Sequence, residues 1–325
     1  MAGSLFNNAL VWDAHAGFET RSADDLEPLQ EWRDAGVNFL SVNVGYDVNV
    51  WHDTVKALAV ARDWLHVTDG YRLIGNVREL DQAVAAGEMA VAFDIEGANA
   101  LDGRVDMVRF YYDLGVRQLL LAYNLNNLAA GGCHDEDEGL SAFGYDIVAA
   151  MNGVGMLVDC SHCGYRTTMD VMSCSSDPVI FSHSNVRALC DHERNIRDDQ
   201  ALRCAETGGV VGVNGISRFV GDDDTRTTSV VDHIDYYLDL VGPDHVGIGL
   251  DYFYEMSGGS GFNETVSQNA QFWPTSQYPE GGLRCAAPAQ FAEIAHEMVR
   301  RNHQENVVRR VLGGNFRRVA EQVWK

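Results

Sequence analysis

The chain has little that would take it to a nucleic acid or a membrane. It carries 47 acidic against 24 basic residues, a net charge of −23 at neutral pH. Phosphate backbones and anionic bilayers repel such a surface, and both are excluded as partners. No apolar run approaches the ~18 residues of a membrane span. The first residues, MAGSLFNNALVWDAH, lack a basic stretch followed by a long apolar one, so the chain as given reads as cytoplasmic. A disulfide framework is missing too, because seven cysteines is an odd number without repeating spacing. Cys160 and Cys163 bracket His162 as a C-x-x-C, but Cys160 reads better as a small buried strand residue than as half of a redox pair. Proline is scarce, at 6, and no G-x-G-x-x-G follows the first strand, which removes the fingerprint of a dinucleotide fold. What is present is 46% apolar residues and 32 glycines, the composition of a folded protein with a sizeable core.

The most informative stretch is 156–183. Two short apolar runs, Met156-Leu157-Val158 and Pro178-Val179-Ile180-Phe181, read as buried strands. Each is followed by Ser-His, at Ser161-His162 and Ser182-His183, and the residues between are long enough for one helix. Strand, helix, strand makes two parallel neighbours with a right-handed crossover. Both imidazoles then arrive at the same carboxyl edge of one sheet, where they read as a metal pair.

The same alternation runs through the whole chain. Strand-like runs fall near 10–15, 37–44, 89–95 and 116–122, at the pair just described, and near 209–214 and 245–250. Helical patterns fall near 50–67, 104–114, 141–153, 164–174, 198–207 and 229–241, and 288–324 reads as mostly helical. Eight repeats predict a single α/β domain over 1–325, a closed (β/α)8 TIM-like barrel with C-terminal helices. Two long loops follow strand carboxyl ends. Residues 123–140 carry the acidic run Asp135 to Glu138, read as a solvated surface. Residues 252–287 carry Tyr252, Phe253, Tyr254, Phe272 and Trp273, which either line a pocket or pack the loop down.

The polar residues at the predicted strand ends form a constellation. Strand one gives Asp13 and His15, strand three Asp94 and Glu96, strand five His162, strand six His183 and strand eight Asp251. Alternation places His15 with Asp13, and Glu96 with Asp94, on the inward face. Three imidazoles and a carboxylate at one barrel mouth suit Zn²⁺ or a similar divalent ion. Such an ion with an open position lowers the pKa of bound water to about 7. Asp251, the carboxylate left over, is the candidate to move the proton. Arg194, in the loop after strand six, either clamps a substrate carboxylate or makes a surface salt bridge.

These residues carry a resemblance. Trp12-Asp13-Ala14-His15, Asp94-Ile95-Glu96-Gly97, GLSAFGYDIVAAMNGVGMLVDCSH (139–162), PVIFSHSNVRALCDHERNI (178–196), VDHIDYYLDLVGPDHVGIGLD (231–251) and GGNFRRV (313–319) together resemble the renal (membrane) dipeptidases, zinc peptidases of the amidohydrolase superfamily. The resemblance implies a barrel with a binuclear zinc site. Glu96 would bridge the metals, His162 and His183 would bind one and His15 the other. Asp251 would transfer the proton, and Arg194 would hold the substrate carboxylate. It also implies a dipeptide or similar small-molecule substrate and a dimer of identical chains.

The sequence departs from the family pattern twice. The family's first motif is His-x-Asp, its Asp a ligand of the second metal; here it reads His15-Ala16-Gly17. That leaves His15 and Glu96 for the second site and predicts fewer than two tightly bound metals, unless Asp94 or Glu19 substitutes. In the fourth-strand motif Tyr123 stands where the family has a His that contacts the substrate, and a phenol donates a hydrogen bond without a charge. Two further readings stay open: a barrel hydrolase of another small amide or ester, and a catalytically silent relative with a degraded second metal site.

Overall fold

The computed structural model describes residues 2–253, 262–278 and 282–325; Tyr254, one of the loop aromatics, lies outside them. All eight predicted barrel strands form. In chain order the strands are β1 (Trp12–Gly17), β2 (Phe39–Tyr46), β3 (Tyr71–Leu73), β4 (Met89–Glu96), β5 (Val116–Leu120), β6 (Leu157–Asp159), β7 (Val179–Phe181), β8 (Val210–Val213), β9 (Val246–Ile248) and β10 (Tyr252–Phe253). They pair in the order β10-β1-β2-β4-β5-β6-β7-β8-β9, parallel throughout, which curls the sheet into an α/β barrel of TIM type. Two strands were not foreseen. β3 lies against the first half of β4, and β5 takes the second half. β10 continues β9 past a break and pairs with β1.

Side-chain alternation sorts the residues into two layers. On β4, Val91, Phe93 and Ile95 face the helices and join the large outer core. Ala90 and Ala92 point into the barrel with Trp12, Ala14, Phe39, Leu157, Ile180 and Val210. The small alanines leave room for rings. Trp12 stacks on Phe39 at 3.7 Å, and Phe316 and Trp324 at the chain's carboxyl end close this floor. Phe316 lies on the helix Asn315–Val323, so the predicted C-terminal helices seal the barrel from below. Gly247 is needed here, because a Cβ would fall 2.3 Å from the Phe316 ring.

Two local irregularities shape the opposite end. Along β1 and β2, Trp12 pairs with Phe39, Asp13 with Leu40, but Ala16 with Val42, so β1 carries an extra residue. This bulge overturns the expectation that Asp13 and His15 share the inward face. Asp13 turns toward the helix layer, accepting from the Trp32 indole N–H at 2.8 Å and the Leu250 amide at 2.9 Å. It stitches the last strand to the first, helped by the Asp251 amide donating to the His15 carbonyl at 3.2 Å. Burial pushes the Asp13 carboxyl up to about 7 despite those donors. The second irregularity is Asp251 itself, with φ of 56°, which lies in the break between β9 and β10.

Candidate metal centre

The strands of the barrel deliver their terminal polar residues to one atom, Glu96 Oε1. His162 Nε2 lies 3.1 Å from it, His183 Nε2 3.4 Å and His15 Nε2 3.4 Å. The rings of His15 and His183 stack at 4.2 Å, and those of His162 and His183 meet edge to face at 5.0 Å. One donor atom from each of His15, Glu96 and His183 falls within 4.8 Å of the others. All four residues are buried. Glu96 Oε1 and His183 Nε2 nevertheless make no hydrogen bond. Buried polar atoms are nearly always paired, so an acceptor and a ring nitrogen left bare at one point mark a place that fits a cation.

Two of the imidazoles are hydrogen-bonded from behind. His162 Nδ1 is 2.7 Å from Asn124 Oδ1, and His183 Nδ1 is 2.6 Å from Ser182 Oγ. His15 Nδ1 lies 3.1 Å from Asp94 Oδ1, off the line of a hydrogen bond. Asp94 in turn accepts from Ser41 at 2.6 Å and Asn43 at 3.0 Å, and Asn43 also reaches Glu96 Oε2 at 3.3 Å. Holding one ring nitrogen turns the other toward a metal. Three residues of this shell have left-handed backbones without being glycine: Asn124, His162 and Asp251, with φ of 61°, 63° and 56°. Such strain gathers at functional sites.

The electrostatics agree with a cation. Burial holds His162 and His183 well below the usual imidazole range, and the positive charges of Arg194 and His15 push the same way. Two neutral imidazoles are what a metal requires. Burial, with Asp251 and Asp94 nearby, pushes Glu96 up to about 8, and burial raises Asp251. For His15 burial favours the neutral ring, but the carboxylates of Asp94, Glu96 and Asp251 outweigh it and raise the pKa well above normal. Burial and the neighbouring carboxylates thus favour the protonated forms of Glu96 and Asp251 where no other positive charge is supplied.

Some of the predicted site residues sit differently from expectation. The eighth-strand end, expected to face the ligand-bearing strands from across the mouth, instead sets Asp251 beside His15. Its Oδ1 is 3.5 Å from His15 Nε2, on the adjacent strand, and its Oδ2 accepts from Asn214 at 2.8 Å. Asp251 thus brings a carboxylate to within 3.5 Å of His15, where only His15 and Glu96 were counted for the second site. Glu19 does not fill the place of the missing carboxylate, since it is engaged by Arg21, Tyr46 and Thr265. Gly17 pairs with Phe253, and a Cβ there would meet the Phe253 Cβ at 3.2 Å. Arg194 is no surface salt bridge. It is 2% exposed, donates to the His183 carbonyl at 3.2 Å, lies over the Phe219 ring, and leaves its Nε without a partner.

Tyr123 stacks on the His162 ring at 4.1 Å. Burial, reinforced by Glu96, keeps its phenol protonated. It heads an apolar cluster over the barrel mouth that includes Ile216, Phe219, Trp273, Tyr278 and Leu283, with Phe253 and Phe272 at its margin. Of the loop aromatics, Phe253, Phe272 and Trp273 therefore pack down around the site, whereas Tyr252 lies against Trp32 in the outer layer. The acidic run 135–138 is exposed, as expected. A cleft of about 270 Å³ opens beside Arg194 and His162, with Arg187, Arg197, Asp135 and Asp137 on its walls. Asn43, Asn124 and Asn214 escaped the sequence reading. The available signal was an uncharged polar residue at the end of an apolar run, which is weak in a single sequence.

Comparison with known proteins bears on this geometry. The family model for membrane dipeptidase (peptidase family M19) matches residues 35–268. An uncharacterized dipeptidase of Schizosaccharomyces pombe is 39% identical over 184 residues, 53% of this chain but 44% of that protein, so the match spans less than half of the relative. A dipeptidase of Clonostachys rogersoniana is 28% identical over 316 residues, 92% of this chain and 75% of that one. The crystal structure of an amidohydrolase from Pseudomonas aeruginosa superposes with a TM-score of 0.90 at 26% identity, covering 99% of each chain.

Proposed function

The chain belongs to the membrane dipeptidase family, and on that premise we propose that it hydrolyses dipeptides or closely similar small amides at a divalent-metal centre. The observation that carries the proposal is Glu96 Oε1, buried, unbonded and ringed by three imidazole Nε2 atoms at 3.1–3.4 Å. Glu96, His162 and His183 would hold one ion. Glu96 with His15, and with Asp251 near enough to join them, would hold a second more weakly, since Gly17 has no side chain to offer. Zinc is the expected metal. When bound, it supplies a Lewis acid and an activated water to the scissile carbonyl.

The chain's own residues do the rest. Asp251 Oδ1 faces the cluster from the break after β9, and the Asn214 amide holds its other oxygen. It is placed to take a proton and to return it to the leaving amine. Arg194 faces the same cluster with an unpaired N–H, and its guanidinium matches a free carboxylate. Tyr123, kept neutral by burial, can donate to a developing oxyanion but adds no charge. The cleft beside Arg194 gives the substrate's C-terminal residue somewhere to lie. No helix among the described residues is long and apolar enough to cross a membrane.

A panel of dipeptides and their C-terminal amides, assayed with protein purified without chelators, tests this reading. Free acids should be cleaved about ten- to a hundredfold faster than amides, the worth of one charge-assisted contact. Equal rates would remove Arg194 from substrate recognition, and no cleavage of any member would refute dipeptide hydrolysis.

A further inference from the structure

Asn124 joins two parts of the molecule that the chemistry above treats separately. Its side chain has one oxygen and one nitrogen, which face different groups, and the oxygen also accepts from the Cys133 thiol at 3.5 Å. Nδ2 donates to the Phe272 carbonyl at 3.0 Å, while Oδ1 faces His162 Nδ1 at 2.7 Å. A peptide carbonyl only accepts, so the contact with Phe272 fixes which end of the amide is nitrogen. Oδ1 must then face His162, and His162 Nδ1 must carry the proton that it accepts. The proton on Nδ1 leaves Nε2 bare, turned toward Glu96 Oε1 at 3.1 Å. One backbone carbonyl in the segment 262–278 therefore determines, through one amide, which nitrogen of a metal ligand is free.

Asn124 is built for this place. It is fully buried, and its left-handed backbone, with φ of 61°, suits Asn better than most residues. Its own carbonyl accepts from the His134 amide at 2.7 Å. Gly132 packs so close that a Cβ there would fall 2.2 Å from the Asn124 carbonyl carbon. The neighbouring Tyr123 ring lies against Trp273 at 5.7 Å and Phe272 at 6.2 Å while it stacks on His162. The same segment is fastened at its far end, where the Tyr278 hydroxyl is 2.9 Å from His134 Nε2.

We infer that Asn124 is a positioning residue that couples metal binding at His162 to the seating of the segment 262–278 over the site. The inference rests on the metal reading of the cluster. The coupling is reciprocal: whatever tightens one contact of the amide favours the other. It works through the Phe272 backbone and so is independent of that residue's side chain.

Two substitutions separate the two arms, and both tolerate the left-handed backbone. Asn124→Asp keeps an acceptor for His162 Nδ1 but replaces the donor to Phe272 with a second acceptor. Asn124→Gly removes both contacts. The measurements are Zn²⁺ affinity by chelator competition and hydrogen–deuterium exchange of peptides within 262–278, with and without Zn²⁺. In the natural protein Zn²⁺ should slow exchange across that segment. Asn124→Asp should bind Zn²⁺ within about threefold of the natural protein but lose the Zn²⁺-dependent protection. Asn124→Gly should lose the protection and bind ~10–100-fold more weakly, the usual consequence of removing a partner from behind a ligand. Natural affinity in Asn124→Gly, or protection retained in Asn124→Asp, overturns the inference. A natural protein that binds no Zn²⁺ overturns the metal reading beneath it, which is a different result.

Discussion

The two ends of this barrel are made from the same strands and are opposite in almost every respect. At the amino end, Trp12, Phe39, Phe316 and Trp324 fill the interior around Ala14, Ala90 and Ala92. A few residues further along, the inward positions of the same strands become His15, Asn43, Asp94 and Glu96, and bare polar atoms remain inside. The floor is filled by rings and small alanines, with the Trp324 indole N–H its one bare polar atom among the described residues, whereas the mouth leaves an acceptor and a ring nitrogen unpaired at one point. The difference teaches where the free energy resides: the floor holds the barrel closed, which lets the mouth keep charges that folding alone would not choose.

The largest effect should come from the floor. Phe316→Ala opens a cavity beneath Trp12 and should cost about 3–5 kcal/mol of stability. Zn²⁺ affinity in the folded fraction should be unchanged, as urea melts paired with metal titration would show. A fall in metal affinity would mean that the two ends are not separable.

At the mouth the pattern should reverse. Asp251→Asn preserves the contact geometry while removing a buried carboxylate, so stability should hold or rise. Turnover of dipeptides should fall by ~10² or more, the scale of a lost acid–base group. Metal content after gel filtration decides how Asp251 acts, because its Oδ1 also lies 3.5 Å from His15 Nε2. Retained metal assigns it to proton transfer, and lost metal makes it a ligand. Unchanged turnover would remove it from the site.

The smallest effect should come from a charged cluster that belongs to neither end. Glu297 is bonded by Arg300 at 2.6 Å and Arg301 at 2.7 Å on the outer helix ring, and these guanidinium contacts bring its carboxyl down to about 2. A depressed carboxylate pKa adds stability above the ordinary glutamate range and loses it as pH falls through the folded value. Glu297→Gln should therefore cost about 1 kcal/mol or less at pH 7. The gap to the natural protein should close between about pH 4 and pH 2 in thermal melts. A gap that persists at pH 2 would point to packing rather than charge.

Much of this contrast could be read from the chain alone. Apolar runs announced all eight barrel strands, and the Ser-His endings of two of them located the imidazoles, because period-two burial and chain order are what the sequence records best. What escaped were departures from the period. The extra residue between Asp13 and Ala16 sends Asp13 outward to Trp32, and no local pattern marks it. The left-handed turn at Asp251 brings that residue beside His15, although strand order alone seemed to set it apart. Asn124 gained its meaning only when residues far along the chain came to rest on it. Gly17 was legible as a missing side chain, but the carboxylate of Asp251 that lies beside His15 comes from a neighbouring strand rather than from Glu19 or a nearby position in sequence.

The claim that joins these observations is that the mouth of the barrel is a metal centre organised on Glu96. Metal-linked stability tests it most directly. Chelator-stripped protein is melted across a Zn²⁺ titration, alongside Glu96→Gln treated in the same way. Binding to the folded state alone should stabilise the natural protein by about 2.7 kcal/mol at a free metal concentration one hundred times Kd. Glu96→Gln, folded but without its charged oxygen at the hub, should show no such rise. An equal rise in both proteins, or none in the natural one, would contradict the account.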